Sequence, residues 1–377
     1  MARRETPVAG PGSRALVVDV IRSATSISRV ELAELTGLTQ ASISNIVRDL
    51  IADGVIHETG SVDSIRGKPR KLLAIRPANR FGIGFQVGPE TVTCVAVDLT
   101  GGVVGREVVA LGPGPLETFL AGRFDDFTAG LDLPRDRVEG LAIVAPTAPE
   151  WGAVRSALAD SLRIPILVEN DAAAAALGEF WSRRVSREQA FGSVYLSQGI
   201  GAGLVFGGAL FRGASFDAGE LGHLSIAYDG RPCPCGNRGC VERYASMAAT
   251  VEAARAVPSL AGAGYDTIAR AAVSGNAEAF QVIDAAAGYL AAAVTSMVNL
   301  LDLGRLVLTG PGVAIAGSIY ARRLRTHLAE TAHARHRHEV VVELSAQPRD
   351  AASIGAAALV VQASIAPGHT QGVTQGQ

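Results

Sequence analysis

The spacing of apolar positions shifts from helical to alternating along the chain. In "ALVVDVIRSATSI", Leu16, Val17, Val20 and Ile21 recur at helical spacing. "SRVELAELTGLTQASISNIVRDLIADGVI" then predicts two short helices around a tight turn. Ser28 is placed to cap the first, with Glu31 three residues on as its capping-box partner. Gly37 permits the turn, and Thr39 caps the second helix. In that helix Ile43, Ile46, Val47, Leu50 and Ile51 form an inward stripe, leaving Gln40, Ala41, Ser42, Ser44, Asn45 and Arg48 to face outward. The runs "VIHETG" and "KLLAI" read as strands flanking a polar loop with Arg66, Gly67, Lys68, Pro69 and Arg70.

Beyond "RPANR" the texture changes. "FGIGFQVGPETVTCVAVDLTGGVVGREVVAL" predicts three consecutive strands, with a tight turn near Pro89 and a hairpin at "TGG". Strands and helices then alternate: "VEGLAIVAP", "AVRSALADSL", "PILVEND", "AAAAALGEFW", and a hairpin-like strand pair in "FGSVYLSQGIGAGLVFGGALF". A long helix over 277–301, the strand "LGRLVLTG", a helix over 316–332 and a final strand and helix complete the pattern. Two α/β halves, each opening with antiparallel strands, resemble the actin-like (ribonuclease H-like) ATPase fold. The expected domains are a winged helix-turn-helix over 13–76 and a two-lobed body over 80–364, with disordered tails at 1–12 and 366–377.

Composition agrees with a globular chain: 48% hydrophobic and 19% charged over 377 residues. "MARRETPVAGPGS" lacks the apolar core of a signal peptide. The stretch "AAAGYLAAAVTSMVNLL", broken by Thr295, Ser296 and Asn299, reads as a buried helix rather than a membrane span. A cytoplasmic protein with no membrane association is expected. Residues 1–76 carry eleven Arg and Lys against eight Asp and Glu, a net of +3 on a chain whose total is −2. Both lysines of the chain, Lys68 and Lys71, lie in that segment. Small polar residues at the start of a second helix suit a recognition helix in a DNA major groove. A basic loop carrying Arg66, Lys68, Arg70 and Lys71 suits the negative potential of a minor groove. Double-stranded DNA is therefore the expected partner.

Three of the four cysteines crowd into "GHLSIAYDGRPCPCGNRGC". A cytoplasm keeps thiols reduced, so a disulfide knot is disfavoured. His223, Cys233, Cys235 and Cys240, in the pattern His-x9-Cys-x-Cys-x4-Cys, suit one tetrahedral zinc per chain. Four protein ligands close such a site, which argues for a structural role. "HARHRH" near residue 335 reads as a solvated helix end.

"FDAGELGHLSI" followed by "CPCGNRGCVERYAS" closely resembles the signature of the ROK family of repressors, open reading frames and sugar kinases. "GIGAGLVFGGALFRGA", "VLTGPGV" and the winged module extend the resemblance over residues 14 to about 363. The resemblance implies that zinc orders a loop bearing sugar-contacting side chains, with Asn170, Asp171, Glu220, His223 and Glu242 as those contacts. Asp171 stands where family kinases keep the general base, and it also suits an N-cap of the alanine helix after it.

The departures are informative. Family kinases open the body with Asp-x-Gly-Gly-Thr, where this chain has Gln86-Val87-Gly88-Pro89-Glu90. An aspartate that positions magnesium–ATP is gone, and a carboxylate stands where triphosphate would lie. The glycines of "SQGIGAG" and "TGPGV" are expected to serve close strand–helix packing. At "IVAPTAPEWGAVRSALADSL", Thr147 replaces a family glycine and a sugar-closing loop is shortened. The resulting expectation is a DNA-binding repressor controlled by a sugar or sugar derivative, without kinase activity and with Asp171 a vestigial base. It would act as a homodimer or homotetramer. Two alternatives stay open: an active sugar kinase with an appended DNA module, and a regulator whose pocket no longer binds sugar and which answers to a protein partner.

Overall fold

The computed structural model describes residues 11–62, 70–144, 151–185, 189–215 and 217–365. Arg66, Lys68 and Thr147 lie outside the described residues, as do most of the two tails.

The N-terminal segment folds as α1 (Pro11–Ala24), β1 (Ile27–Ser28), α2 (Arg29–Thr36), α3 (Gln40–Ala52), β2 (Ile56–Val62) and β3 (Arg70–Ile75). The local signals in the sequence act as expected. Ser28 and Glu31 form a reciprocal capping box, Gly37 ends α2 at φ +70°, and Thr39 accepts from the backbone of Ser42 to cap α3. β2 and β3 pair as an antiparallel hairpin, and β1 adds to β3 as a third strand that its two residues did not announce. Two readings need correction. Ile51 does not join the inward stripe; it lies at the end of α3 and is exposed, whereas Ile43, Val47 and Leu50 are fully buried. The helix expected to begin after a disordered stretch starts at Pro11. Ala15, Val17, Val18, Asp19, Val20, Ile21 and Arg22 of α1 are all buried, so protein covers more of the helix than one stripe.

The rest of the chain forms β4 (Phe81–Val87), β5 (Thr91–Asp98), β6 (Val103–Ala110), α4 (Leu116–Gly130), β7 (Val138–Val144), α5 (Trp151–Leu162), β8 (Ile166–Glu169) and α6 (Asp171–Ser182). It continues with β9 (Phe191–Leu196), β10 (Ile200–Phe206), β11 (Ala209–Leu210), α7 (Glu242–Ala245), α8 (Met247–Ala254), α9 (Tyr265–Val273) and α10 (Ala277–Leu301). It closes with β12 (Arg305–Thr309), α11 (Gly317–Thr331), β13 (Val341–Leu344) and α12 (Ala351–Ile365).

Two five-stranded sheets repeat one topology. Their orders are β6-β5-β4-β7-β8 and β11-β10-β9-β12-β13. In each, three antiparallel strands lead and two parallel strands follow through helical crossovers. This is the doubled arrangement of actin-like ATPase and sugar-kinase folds, preceded by an N-terminal helical and hairpin segment.

The described residues fall into two compact units. One holds those of 1–170, 180–187 and 353–377; the other holds 171–179 and those of 188–352. In the first, α4 and α5 cover one sheet face through Phe85, Leu120, Phe124, Leu141 and Leu158. In the second, α10 packs on α9 and α11, and its Ile283, Leu290, Val294 and Val298 join one buried core with residues of β9 and β12. α10 is long and apolar enough to cross a membrane, and more than half of its most apolar window is buried inside this core.

Candidate functional site

The loop between β11 and α7 is built by short-range backbone pairing. Pro232 bridges Arg238, and Ser225 bridges Cys240, both antiparallel. Within the inner turn Gly236 N donates to Cys233 O at 3.0 Å and Cys233 N to Asn237 O at 2.9 Å. Gly239 sits at φ +69°, and a Cβ there would stand 1.7 Å from the carbonyl oxygen of Ala227, so only glycine lets the two arms close.

Closing the arms gathers four donors. A ring nitrogen of His223 and the Sγ atoms of Cys233, Cys235 and Cys240 all lie within 4.8 Å of one another. Cys233 Sγ is 3.5 Å from His223 Nδ1, and Cys235 Sγ is 3.7 Å from Cys240 Sγ. A tetrahedral ion with metal–sulfur bonds of about 2.3 Å needs ligand separations of about 3.7 Å, close to the two spacings of 3.5 and 3.7 Å. Burial and the neighbouring thiols push the Cys240 thiol up to about 12. The Asn237 backbone N–H and the Cys233 thiol hold Cys235 below the ordinary thiol range. The cluster could hold a metal ion, with uptake that displaces protons.

The other edge of His223 faces Glu220. Its Nε2 lies 3.9 Å from Glu220 Oε2, too long for a direct hydrogen bond. Asp171, at the head of α6, accepts from the backbone of Ala172 at 2.8 Å. Burial, followed by the nearby Glu220 charge, raises its carboxyl above the ordinary range, with the Ala172 N–H opposing. Glu242 begins α7, two residues after the last cysteine, and its Oε2 accepts from Ile200 N at 3.1 Å. A Cβ at Gly199 or Gly222 would stand 2.6 or 3.0 Å from that same oxygen, so both glycines make room for the carboxylate. Their role had no signal in the sequence beyond the glycines themselves. Asp171, Glu220, His223 and Glu242 thus belong to one compact unit. Asn170 belongs to the other and follows Glu169, whose carboxylate accepts from its backbone. A separate cleft of about 400 Å³ borders Glu220 and His223, but Leu221, Leu224, Met297, Leu300 and Leu301 make it apolar, unsuited to a polyhydroxyl ligand.

The two glycine runs behave as packing devices. A Cβ at Gly203 would stand 2.3 Å from Ala172 O, and one at Gly312 would stand 2.5 Å from Leu196 Cγ. The turn after β4 is closed by Gly88 N donating to Thr91 O at 2.8 Å, with Pro89 and Glu90 exposed.

In the N-terminal segment Gln40, Ala41, Ser44, Asn45 and Arg48 are exposed along α3. Ser42 is only half-buried, and its hydroxyl accepts from Thr39 Oγ1 at 3.0 Å. Arg48 pairs with Asp49 at 3.5 Å. At the hairpin base Arg70 is exposed, and Lys71 is ion-paired with Glu58, which also accepts from Arg29.

Comparison with known proteins places these features in context. The model of the ROK family matches residues 141–363. A putative xylose repressor of Caldicellulosiruptor sp. (strain Rt8B.4) is 26% identical over 94% of this chain and 96% of its own length. The crystal structure of a ROK family transcriptional regulator, a homologue of the E. coli MLC protein, superposes with a TM-score of 0.76 at 26% identity, covering 97% of this chain and 99% of that one. A ROK family glucokinase from Streptomyces griseus, solved with glucose and AMPPNP, gives 0.62 at 26% identity, covering 74% of this chain and 98% of its own.

Proposed function

Because the chain belongs to the ROK family, we propose that it is a sugar-responsive transcriptional repressor without kinase activity. The carrying observation is the helix–turn–helix and hairpin at residues 27–75 in the same chain as the carboxylate and His–Cys cluster. The regulator of known structure spans both parts, whereas the glucokinase matches about three quarters of this chain.

Gln40, Ser44, Asn45 and Arg48 on α3 would read base edges, and Arg66, Lys68, Arg70 and Lys71 would bind phosphates. Lys71 must exchange its Glu58 partner for phosphate, so part of its contribution offsets a broken ion pair. One zinc, held by His223, Cys233, Cys235 and Cys240, would cross-link the loop and fix His223 and Glu242 for an effector. Soft thiolates with one imidazole favour zinc over hard cations. The carboxylates of Asp171, Glu220 and Glu242 would accept from a sugar's vicinal hydroxyls, and the Asn170 amide and the His223 ring N–H would donate to them. Two modules in a homodimer or homotetramer would bind paired half-sites.

The test is occupancy mapping of the chromosome with the full chain, followed by release assays with D-xylose, D-glucose and sugars of the neighbouring genes' pathways. Site-specific binding that is lost on removing residues 1–76 and reversed by a sugar is expected. A truncated body that binds the same sites with full affinity would overturn the assignment.

A further inference from the structure

α1 carries two arginines eight residues apart, about 12 Å along its axis. Each donates to a carbonyl in the last turn of a different helix. Arg14 Nε reaches Ile365 O, the final residue of α12, at 3.2 Å. Arg22 Nη1 reaches Trp181 O, near the end of α6, at 3.1 Å. Helix C-termini leave carbonyls without intrahelical partners and carry partial negative charge, so a guanidinium is suited to both places.

Each arginine also grips a second feature. Arg14 Nη2 pairs with Asp53 Oδ2 at 2.7 Å, and Asp53 is the C-cap of α3. Arg22 is 4% exposed and lays its guanidinium over the rings of Phe180 and Trp181, at 5.3 and 5.1 Å. Just past α1, Thr25 takes a left-handed φ of +67°, strained for a β-branched residue, and accepts a hydrogen bond from Arg184. Arg22 Nε and Trp181 Nε1 are buried with no acceptor among the described residues.

The two gripped helices have a special place in the chain. The division between the compact units falls after Glu179 within α6 and after Ala352 within α12. α6 also begins with Asp171, a proposed effector contact.

We infer that α1 is the relay between effector and DNA: Arg22 and Arg14 hold the C-terminal ends of α6 and α12, and Arg14 passes their relative setting to α3 through Asp53. This rests on the repressor reading above. Trp181 and Ile365 both fall in the compact unit that holds α1, whereas Asp171 at the head of α6 falls in the other, so a ligand at Asp171 reaches α1 along α6 itself, by shifting the Trp181 anchor of Arg22. α1, buried from Val17 to Arg22, transmits the shift as a tilt of α3 rather than absorbing it.

The test uses the full chain and its variants Arg14→Gln, Arg22→Met, the double variant and Arg22→Lys. The DNA probe is a duplex selected by the wild-type chain from a random pool, and the sugar probes are D-xylose and D-glucose. For a sugar that shifts wild-type DNA affinity, the ratio of dissociation constants with and without it should fall to within twofold of one in the double variant. Sugar affinity of the DNA-free chain should stay within threefold of wild type, and Arg22→Lys should keep part of the ratio. A wild-type ratio in the double variant would overturn the relay. Hydrogen exchange on the ligand-free chain decides the same point without any sugar. Amides of α2 and α3 should exchange at least tenfold faster in the double variant while those of α10 are unchanged. Unchanged protection in α2 and α3 overturns the relay even where sugar release is real. If neither sugar shifts wild-type DNA affinity, the effector reading is what those probes count against, and the exchange result still decides the relay.

Discussion

Glu242 Oε2 accepts a hydrogen bond from the backbone nitrogen of Ile200 at 3.1 Å, tying the first residue of α7 to the edge of β10. One carboxylate oxygen is used for structure, which leaves the other for a ligand. Glu242→Ala should therefore lose two things: an acceptor for Ile200 and a charged acceptor for a sugar. The first costs about 1–2 kcal/mol of stability, and the second weakens sugar binding at least about tenfold. Glu242→Gln should restore stability but not affinity. Calorimetric titration with the releasing sugar and thermal melts of both variants separate the effects; equal affinity in wild type and Glu242→Ala would remove Glu242 from the effector site.

Purified chain should carry close to one zinc, lost as pH falls, because Cys240 holds its proton firmly until a metal displaces it. Cys235→Ser should cut the bound zinc well below one per chain and lower the melting midpoint by several degrees. The larger signature should be local, with exchange accelerating between residues 222 and 242 while the sheet of β4–β8 is unaffected. Metal analysis finding no zinc in unchelated, freshly prepared protein would end the structural-zinc reading.

Asp171 gives a pH test. Its carboxyl is raised by burial and by Glu220, so the folded chain holds this proton more tightly than the unfolded chain does. The stabilisation this provides is fully present below the ordinary aspartate range and is lost as pH rises through the raised value. Above the raised value, ionised Asp171 is thus a cost. Asp171→Asn should raise the melting midpoint by a few degrees at a pH above that value, and the gain should vanish as pH falls to the ordinary aspartate value of about 3.9. The same variant should bind sugar more weakly. A midpoint difference that does not change with pH would show that Asp171 is not desolvated in the folded chain.

Local signals in the sequence were faithful wherever a single residue type determines a single geometry. Ser28 with Glu31, Gly37 and Thr39 specify caps through their own side chains or their lack of one, and each is found in that role. The four-donor loop was readable for the same reason, since thiols and imidazole at that spacing have few other uses. What the sequence did not disclose depends on contacts between distant segments. Nothing near Arg14 or Arg22 in the sequence marks their roles, because their partners lie 351 and 159 positions away. Ile51 failed in the opposite sense: periodicity predicts burial, but the stripe runs out past Leu50 at the end of α3. Gly199 and Gly222 were plain glycines until Glu242 was seen between them.

Phosphoryl transfer depends on positioning the triphosphate and neutralising its charge. The turn after β4 is the first place a nucleotide's phosphates would meet, by resemblance to family kinases, and it offers Gln86, Pro89 and Glu90. Pro89 has no N–H to donate, the amide of Gly88 is already committed to Thr91 O, and Glu90 adds negative charge on the exposed side. Magnesium–ATP should therefore bind weakly, and ATP consumption with hexoses, pentoses and amino sugars should stay far below the ordinary enzyme range of about 1–1000 per second. Replacing Gln86 by Asp, Pro89 by Gly and Glu90 by Thr together should bring measurable magnesium–ATP binding by calorimetry, because it restores the anionic contact, the backbone donor and the hydroxyl at once. Turnover in the ordinary range by the wild-type chain would make it a kinase with a DNA module. Failure of the triple variant to gain nucleotide affinity would mean that the block lies beyond this turn, in the packed glycines of β10 and the segment after β12, where Gly203 and Gly312 leave no space between backbone and neighbour.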